Sequence, residues 1–278
     1  MNETFYSLPC PVSFAFLSDL HNADPAPVLR SLEKHQPEMI LISGDLVRGD
    51  AVGKDGLKMT ESGNAMKLLR GCCGIAPAFV SMGNHEWVLS ASDLKTIAET
   101  GVVLLDNTWT EFKGILIGGF SSAWFTSYEK ERAVDFRIGY QSPKITGLLH
   151  RRKPLPETSW LDDFEKQDGY KILLCHHPEY YPRYLRDRKI DLICSGHCHG
   201  GQWRYYSPFR KVWQGVYGPG QGFFPKLSSG IHDGRLIISR GLSNTTIFPR
   251  ICNPTEVIYN ESAERKRENQ KSEFRNQK

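Results

Sequence analysis

Short apolar runs alternate with stretches of helical periodicity through the first hundred residues. Residues 13–17 (SFAFL) form a run stopped by Asp19, the pattern of a buried strand. Residues 25–36 follow with Val28, Leu29 and Leu32 at helical spacing. The runs 38–43 and 77–82 predict two more strands. Residues 60–72 and 90–100 predict helices, the second opened by Ser90 as an N-cap. Strand–helix alternation of this kind implies βαβ units around a largely parallel, buried sheet.

The middle of the chain changes character. Residues 102–105 and 113–118 read as strands joined through Asn107, Thr108 and Trp109, and 120–153 hold no regular period. Apolar runs return at 171–175 and 190–195. Beyond Gly200 the chain is rich in Gly, Pro and aromatics, which predicts hairpins or loops. Runs at 235–239 and 256–259 predict the last strands. No internal repeat and no linker divides this pattern, so 1–259 reads as a single α/β domain of two packed sheets with flanking helices. Residues 260–278 carry six basic and four acidic residues and no aliphatic side chain larger than Ala263, the signature of a disordered or frayed tail.

Composition narrows the partners. Lys plus Arg number 35 and Asp plus Glu 31, a net charge of +4 over 278 residues. That surplus is thin for a protein that coats nucleic acid, and no specific nucleic acid is expected. No apolar run approaches the ~20 residues of a membrane-spanning helix. No basic residue precedes the first apolar stretch, and Pro9 and Pro11 interrupt it, so no export leader is expected. The seven cysteines are then expected reduced, in a cytoplasmic protein with peripheral membrane contact left open.

The predicted strands end in clusters of polar, metal-competent residues. These are Asp19-Leu20-His21, Gly44-Asp45, Gly83-Asn84-His85-Glu86, Cys175-His176-His177 and Gly196-His197-Cys198-His199-Gly200-Gly201-Gln202. In open α/β sheets ligands sit outside the carboxyl ends of the strands, where loops distant in sequence converge. Asp19 and His21 are i and i+2, as are His197 and His199. In extended backbone each pair points to one side, leaving Leu20 and Cys198 to face away. Imidazole and carboxylate suit zinc, manganese and iron. Asp45 is the natural bridge between two cations, and the Asn84 carbonyl is a neutral oxygen ligand. Two ions roughly 3.5–4 Å apart clamp a phosphate and activate a shared water. The chemistry implied is hydrolysis of a phosphate ester by metal-bound hydroxide, with His85 placed either to protonate the leaving oxygen or to stabilise the charged transition state.

Other readings of these residues are blander. Of adjacent His176 and His177, a strand would turn only one toward the centre. A mononuclear zinc site of Cys194, His197, Cys198 and His199 is the weaker alternative, because Cys198 alternates away. Asp24, Asp50 and Glu86 fall to capping or to hydrogen bonds around the site.

Asp-x-His, Gly-Asp, Gly-Asn-His-Glu, a late His and Gly-His-x-His, in this order from Asp19 to Gln202, resemble the calcineurin-like metallophosphoesterases. The resemblance implies a four-layer α/β/β/α sandwich of two mixed sheets flanked by helices. It implies one metal held by Asp19, His21, Asp45 and His199, and another held by Asp45, Asn84, His176 and His197. His85 is then the catalytic histidine and His176, rather than His177, the ligand. The cofactors implied are two divalent ions, Mn, Zn or Fe. The Gly-Gly-Gln after His199 is similar to a branch of small bacterial phosphodiesterases, some of which cleave the pyrophosphate of UDP-diacylglucosamine. Residues 250–256 (RICNPTE) are similar to that branch's end, departing at Asn253 and Thr255. The expected substrate is a small or lipid-linked nucleotide-type phosphodiester or pyrophosphate. A phosphomonoesterase, a protein phosphatase and a scaffold without catalysis are the alternatives.

Two segments bear on substrate choice. Residues 126–153 hold seven basic and three acidic residues, and 120–155 is a candidate cap over the site. Residues 203–224 contain eight aromatics among turn residues.

Overall fold

This computed structural model describes residues 1–48, 59, 63–123, 125, 155–244 and 246–262. The candidate cap and the tail beyond 262 therefore lie almost wholly outside the described residues.

The elements run β1 (Asn2–Tyr6), β2 (Phe14–Leu17), α1 (Ala26–His35), β3 (Met39–Ile42), α2 (Asn64–Ile75), β4 (Ala78–Ser81), α3 (Ala91–Ala98), β5 (Val103–Leu105), β6 (Thr108–Phe112) and β7 (Ile115–Phe120). They continue α4 (Ser159–Lys166), β8 (Tyr170–Cys175), β9 (Leu192–Ser195), β10 (Arg204–Ser207), β11 (Val212–Gly215), β12 (Tyr217–Gly218), β13 (Gly222–Phe223), β14 (Gly230–His232), β15 (Leu236–Ile238) and β16 (Glu256–Asn260). One six-stranded sheet has the order β1-β16-β2-β3-β4-β5 and the other β14-β15-β9-β8-β7-β6. Both are mixed. The first is parallel from β2 to β5, and β16 is antiparallel to β2. The second is parallel from β15 through β9 and β8 to β7, with antiparallel strands at both edges.

Strand alternation assigns the layers. Phe14 and Phe16 of β2, Met39 and Leu41 of β3, and Phe79 of β4 meet Ile117, Ile172, Leu174 and Cys194 between the sheets. The alternate residues Ala15, Leu17, Ile40, Ile42 and Val80 face outward against Val28 and Leu32 of α1 and Leu68 and Leu69 of α2. On the far side, Leu173, Ile193 and Leu236 pack against Leu161 and Phe164 of α4 and against Tyr181 and Leu185. The result is the four-layer α/β/β/α sandwich expected. The interior strands β2, β3, β7, β9 and β15 are buried along their whole length because both faces of each sheet are covered.

The differences from expectation fall at edges and ends. β1 and β6 were not expected as strands. Both are edge strands with two well-exposed positions in five, so the apolar signal is dilute. β6 reverses into β7 through Lys113 and Gly114, at φ 50° and 74°, the left-handed pair of a tight hairpin turn. α4 was also missed, since only Leu161 and Phe164 of its eight residues are buried. α2 continues to Ile75, beyond the expected end at 72, where Cys73 and Ile75 still pack, partly buried, against the same core. α3 starts as expected, with a reciprocal capping box between Ser90 and Asp93. No helix among the described residues is long and apolar enough to cross a membrane.

All seven cysteines are free thiols. Cys252 is exposed, Cys73 half-buried and the other five buried.

Candidate metal centre

Each candidate residue follows the carboxyl end of a strand from one of the two parallel cores. Asp19 and His21 follow β2, Asp45 follows β3, and Asn84 and His85 follow β4. From the second sheet, His176 follows β8, and His197 and His199 follow β9. The pairs were expected in extended backbone, and here the structure differs. Asp19, His21, Asp45, His197 and His199 have φ of 59°, 48°, 55°, 67° and 47°, all left-handed. The strands end two residues earlier, at Leu17 and Ser195. A left-handed residue reverses the chain within a step, and the side chains curl back over the sheet edge. Asp, Asn and His tolerate this region better than most residues, at a cost of order 1–3 kcal/mol each. Leu20 and Cys198 are still turned inward and buried.

Two turns are pressed together beneath the site. A Cβ on Gly44 would lie 2.2 Å from the Gly83 nitrogen, so only glycine permits that approach. Glu86, fully buried, accepts from the backbone N–H groups of Gly83, Asp45 and Leu46 at 2.7, 2.8 and 2.7 Å, and from Val47 at 3.4 Å. The Glu86 carboxylate thus ties the Asp45 turn to the Asn84 turn, in keeping with its expected supporting role.

The site closes around two buried carboxylates. Asp19 Oδ1 lies 3.7 Å from His21 Nε2 and 3.3 Å from His199 Nε2. Asp45 Oδ2 lies 3.0 Å from His176 Nε2, 3.6 Å from His21 Nε2 and 3.9 Å from His85 Nε2. His21 Nε2 and His199 Nε2 face each other at 3.2 Å. Three groupings have ligand atoms within metal-binding reach: Asp19 with His21 and His199, Asp45 with His176 and His197, and Asp45 with His21 and His85. A further grouping joins His197 to His177 and Glu179. Among the described residues, none of these contains a cysteine, which leaves the mononuclear Cys/His reading without a site.

The outer nitrogens set the tautomers. His176 Nδ1 donates to Ser43 O at 2.8 Å and His21 Nδ1 to Val47 O at 3.2 Å. A carbonyl only accepts, so the neutral rings turn their Nε2 lone pairs toward the carboxylates. His199 is the exception. Arg250 Nη2 lies 2.9 Å from its Nδ1, and a guanidinium only donates. The neutral His199 ring therefore carries its proton on Nε2. A cation held through that nitrogen requires the other tautomer, so cation binding and the Arg250 contact compete.

Burial and mutual charge oppose each other across the cluster. Burial resists ionisation of Asp19, but the His199, His21 and His176 imidazoles outweigh it and hold the carboxyl below the usual range. Asp45 is held well down in the same way, chiefly by His176 and His85. Burial also disfavours the charged form of His176, yet the Asp45 carboxylate lifts it to about 10. His197 and His199 fall to about 3 and 4, mainly through burial. Burial and the Asp45 charge push Glu86 up to about 7, against its backbone donors.

The donor set fits divalent cations. Besides two ionised carboxylates and the imidazoles of His21, His197 and His199, it holds two orphans. His176 Nε2 and Asn84 Oδ1 are buried with no hydrogen-bond partner; the 3.0 Å approach of His176 to Asp45 lacks hydrogen-bond geometry. Nitrogen and oxygen donors left open in a buried cluster are what a metal of the Mn, Fe or Zn type takes up.

Sequence reasoning missed several neighbours. Glu179 accepts from His177 Nδ1 at 3.2 Å and lies 3.7 Å from His197 Nε2. His177 is turned away from Asp45 and also meets Ser122 Oγ at 2.8 Å. Asn253 donates to the carbonyls of His199 and Gln202, and Ser243 to that of Asp19. Glu179, three residues beyond His176, and Arg250, in the late RICNPTE stretch, had visible sequence positions but no spacing that placed them here.

Known proteins resemble this chain over much of its length. Protein YpbG of Bacillus subtilis, itself uncharacterized, is 25% identical over 248 residues, covering 88% of this chain and 82% of its own. The uncharacterized metallophosphoesterase YkoQ of the same species is 25% identical over 256 residues, with 88% and 81% covered. A dimetal phosphatase from Danio rerio aligns with a TM-score of 0.43 at 14% identity, over 83% of this chain and 88% of its own. The model of the calcineurin-like phosphoesterases matches residues 12–201, the stretch from just before β2 to the turn after β9 that carries all the ligand candidates. The chain belongs to the calcineurin-like phosphoesterase family.

Proposed function

We propose that this phosphoesterase is a two-metal phosphodiesterase or pyrophosphatase acting on a small or lipid-linked nucleotide-type substrate. One observation carries the reading. The Asp45 carboxylate stands between His21 and His176, at 3.6 and 3.0 Å, with Asp19 and His199 on one side and His197 on the other. Asp19, His21, Asp45 and His199 would hold one cation, and Asp45, Asn84, His176 and His197 the second. Such a pair supplies Lewis acidity, shielding phosphate charge and lowering the pKa of water.

The chain's own groups do the rest. Ser43 O and Val47 O fix the rings of His176 and His21, so these donors need little reorganisation. His85 heads a single 3-10 turn, and its backbone N–H donates to Asp45 Oδ1 at 2.9 Å. Its imidazole is the most exposed of the cluster and stands edge-on to His21, with ring centroids 4.6 Å apart. From there its Nε2 would give a proton to the leaving oxygen. Beside the His199 turn, Trp203 packs on Phe248 at 6.2 Å between centroids, an apolar surface for the second ester group.

The test compares bis-p-nitrophenyl phosphate with p-nitrophenyl phosphate, using metal-stripped protein reloaded separately with Mn, Zn, Fe(II), Co and Mg. Metal-restored turnover favouring the diester supports the proposal. Monoester preference replaces it with a phosphatase, and two bound ions without turnover of either ester replaces it with a scaffold.

A further inference from the structure

Seventeen large hydrophobic side chains are exposed among the described residues, and twelve of them fall in two short stretches, 203–224 and 247–251. Phe209 is 98% exposed, Ile247 93% and Phe223 74%. This is a connected patch, not a scatter. Tyr205 on β10 packs on Phe224, Tyr217 on Phe223, and Trp203 on Phe248, with centroids 6.2, 5.5 and 6.2 Å apart. Phe209 stands with exposed Arg210 and Lys211 in the turn between β10 and β11. Contiguous exposed apolar surface of this kind marks an interaction site.

The patch is rooted on the metal centre. Gln202 directly follows the His199–Gly201 turn and donates to Asn244 Oδ1 and Phe248 O at 3.0 and 2.9 Å. A Cβ on Gly201 would come within 2.5 Å of Gly215 Cα, so the hairpin's base is pressed against the ligand turn. Whatever covers the aromatics is held beside the candidate ligands.

Charge identifies the occupant. Residues 203–232 contain Arg204, Arg210, Lys211 and Lys226 and no Asp or Glu. Two copies meeting through this face would bring the exposed Arg210, Lys211 and Lys226 of each against the other's. Protruding Phe209 and Ile247, with Val212 and Ile251, are wrong for single-stranded nucleic acid, which stacks on aromatics within a basic groove. Aromatics and aliphatics at hairpin tips, ringed by Arg and Lys, match the headgroup zone of an anionic bilayer.

We propose that the 203–224 hairpins and the 247–251 loop form a docking surface for an anionic lipid membrane, seating the metal centre at the level of lipid phosphates. The inference rests on the lipid-linked reading of the substrate for its purpose, but the binding is measured without turnover.

The experiment is co-sedimentation of the full chain with vesicles of phosphatidylcholine alone or mixed with phosphatidylglycerol, with soluble diester hydrolysis followed in parallel. The protein is expected to pellet with the anionic vesicles and to be released by salt. Phe209→Ser with Phe223→Ser should weaken partitioning about tenfold or more. Arg210→Gln with Lys211→Gln should weaken it about thirtyfold at low salt. Both pairs should leave soluble diester turnover unchanged, which also shows that they fold. Failure of the parent chain to bind anionic vesicles, equal binding by the variants, a dimer dispersed by Phe209→Ser, or retention of an oligonucleotide in place of vesicles would each overturn the proposal. Vesicle binding without diesterase activity would instead leave docking in place and remove the proposed function.

Discussion

The turns after β2, β3, β4, β8 and β9 bury carboxylates and imidazoles, while the hairpins that follow leave Trp, Phe and Ile in water. Both regions depart from the usual partition of polar and apolar residues, in opposite directions. At the sheet edge each buried charge has a counter-charge or a backbone donor, and what remains open is a set of metal-type donors. At the hairpins the aromatics are paired with one another only at their flanks, and their outer faces remain exposed. The first departure is what a reaction needs and the second what a surface-bound substrate needs. Their junction is the His199–Gln202 turn.

The comparison breaks most sharply at Asp45. Asp45→Asn removes the shared charge and should abolish turnover and release metal. Elemental analysis with the reloaded diester assay checks this, and a variant with full activity and two ions would remove Asp45 from its bridging role. His85→Ala should keep both ions and lose about 10²–10⁴-fold in kcat, the usual worth of a general acid. Loss of metal in that variant would make His85 a ligand. Glu86→Gln replaces one acceptor oxygen with a donor facing backbone N–H groups. Metal affinity should fall about 10–100-fold, read by competition with a chelator.

The smallest effect lies far from both regions and serves as their control. Glu3 joins β1 to α1 through Ser31, Lys34 and His35. Hydrogen bonds from His35, Lys34 and Ser31 lower its carboxyl to about 2. A depressed carboxylate stabilises the fold above its unfolded pKa of about 4.5 and loses that contribution as pH falls toward 2. Glu3→Gln should thus lower the Tm slightly at pH 7, with the difference shrinking toward pH 3 and turnover unaffected. A difference that grew on acidification would contradict the assignment.

The buried strands were legible in the sequence because runs such as FAFL and MILI are apolar on both faces. Edge strands β1 and β6 were not, since exposed positions interrupt their pattern. The sequence clusters also pointed to the residues that converge, through their shared position after strands. The manner of convergence was not legible. Left-handed backbone at Asp19, Asp45 and His199 is a property of the turn, and nothing in the spacing distinguishes it from extended chain. The Arg250 and Glu179 contacts depend on tertiary approach across 51 and 18 residues of sequence, which no local pattern encodes. The hairpins after Gly200 were foreseen as turns rich in aromatics, but not which side of the molecule those aromatics would face.

The distribution of thiols gives the molecule a natural reporter. Burial pushes the Cys10 thiol up to about 11 and raises those of Cys72, Cys175, Cys194 and Cys198 further, while Cys252 stands exposed beside Ile251. A maleimide-linked nitroxide should therefore react first at Cys252, with half-buried Cys73 the slower competitor. Its relaxation by dissolved oxygen against a water-soluble paramagnet would then read how deep this loop sits relative to the bilayer phosphates, with no residue of the chain replaced.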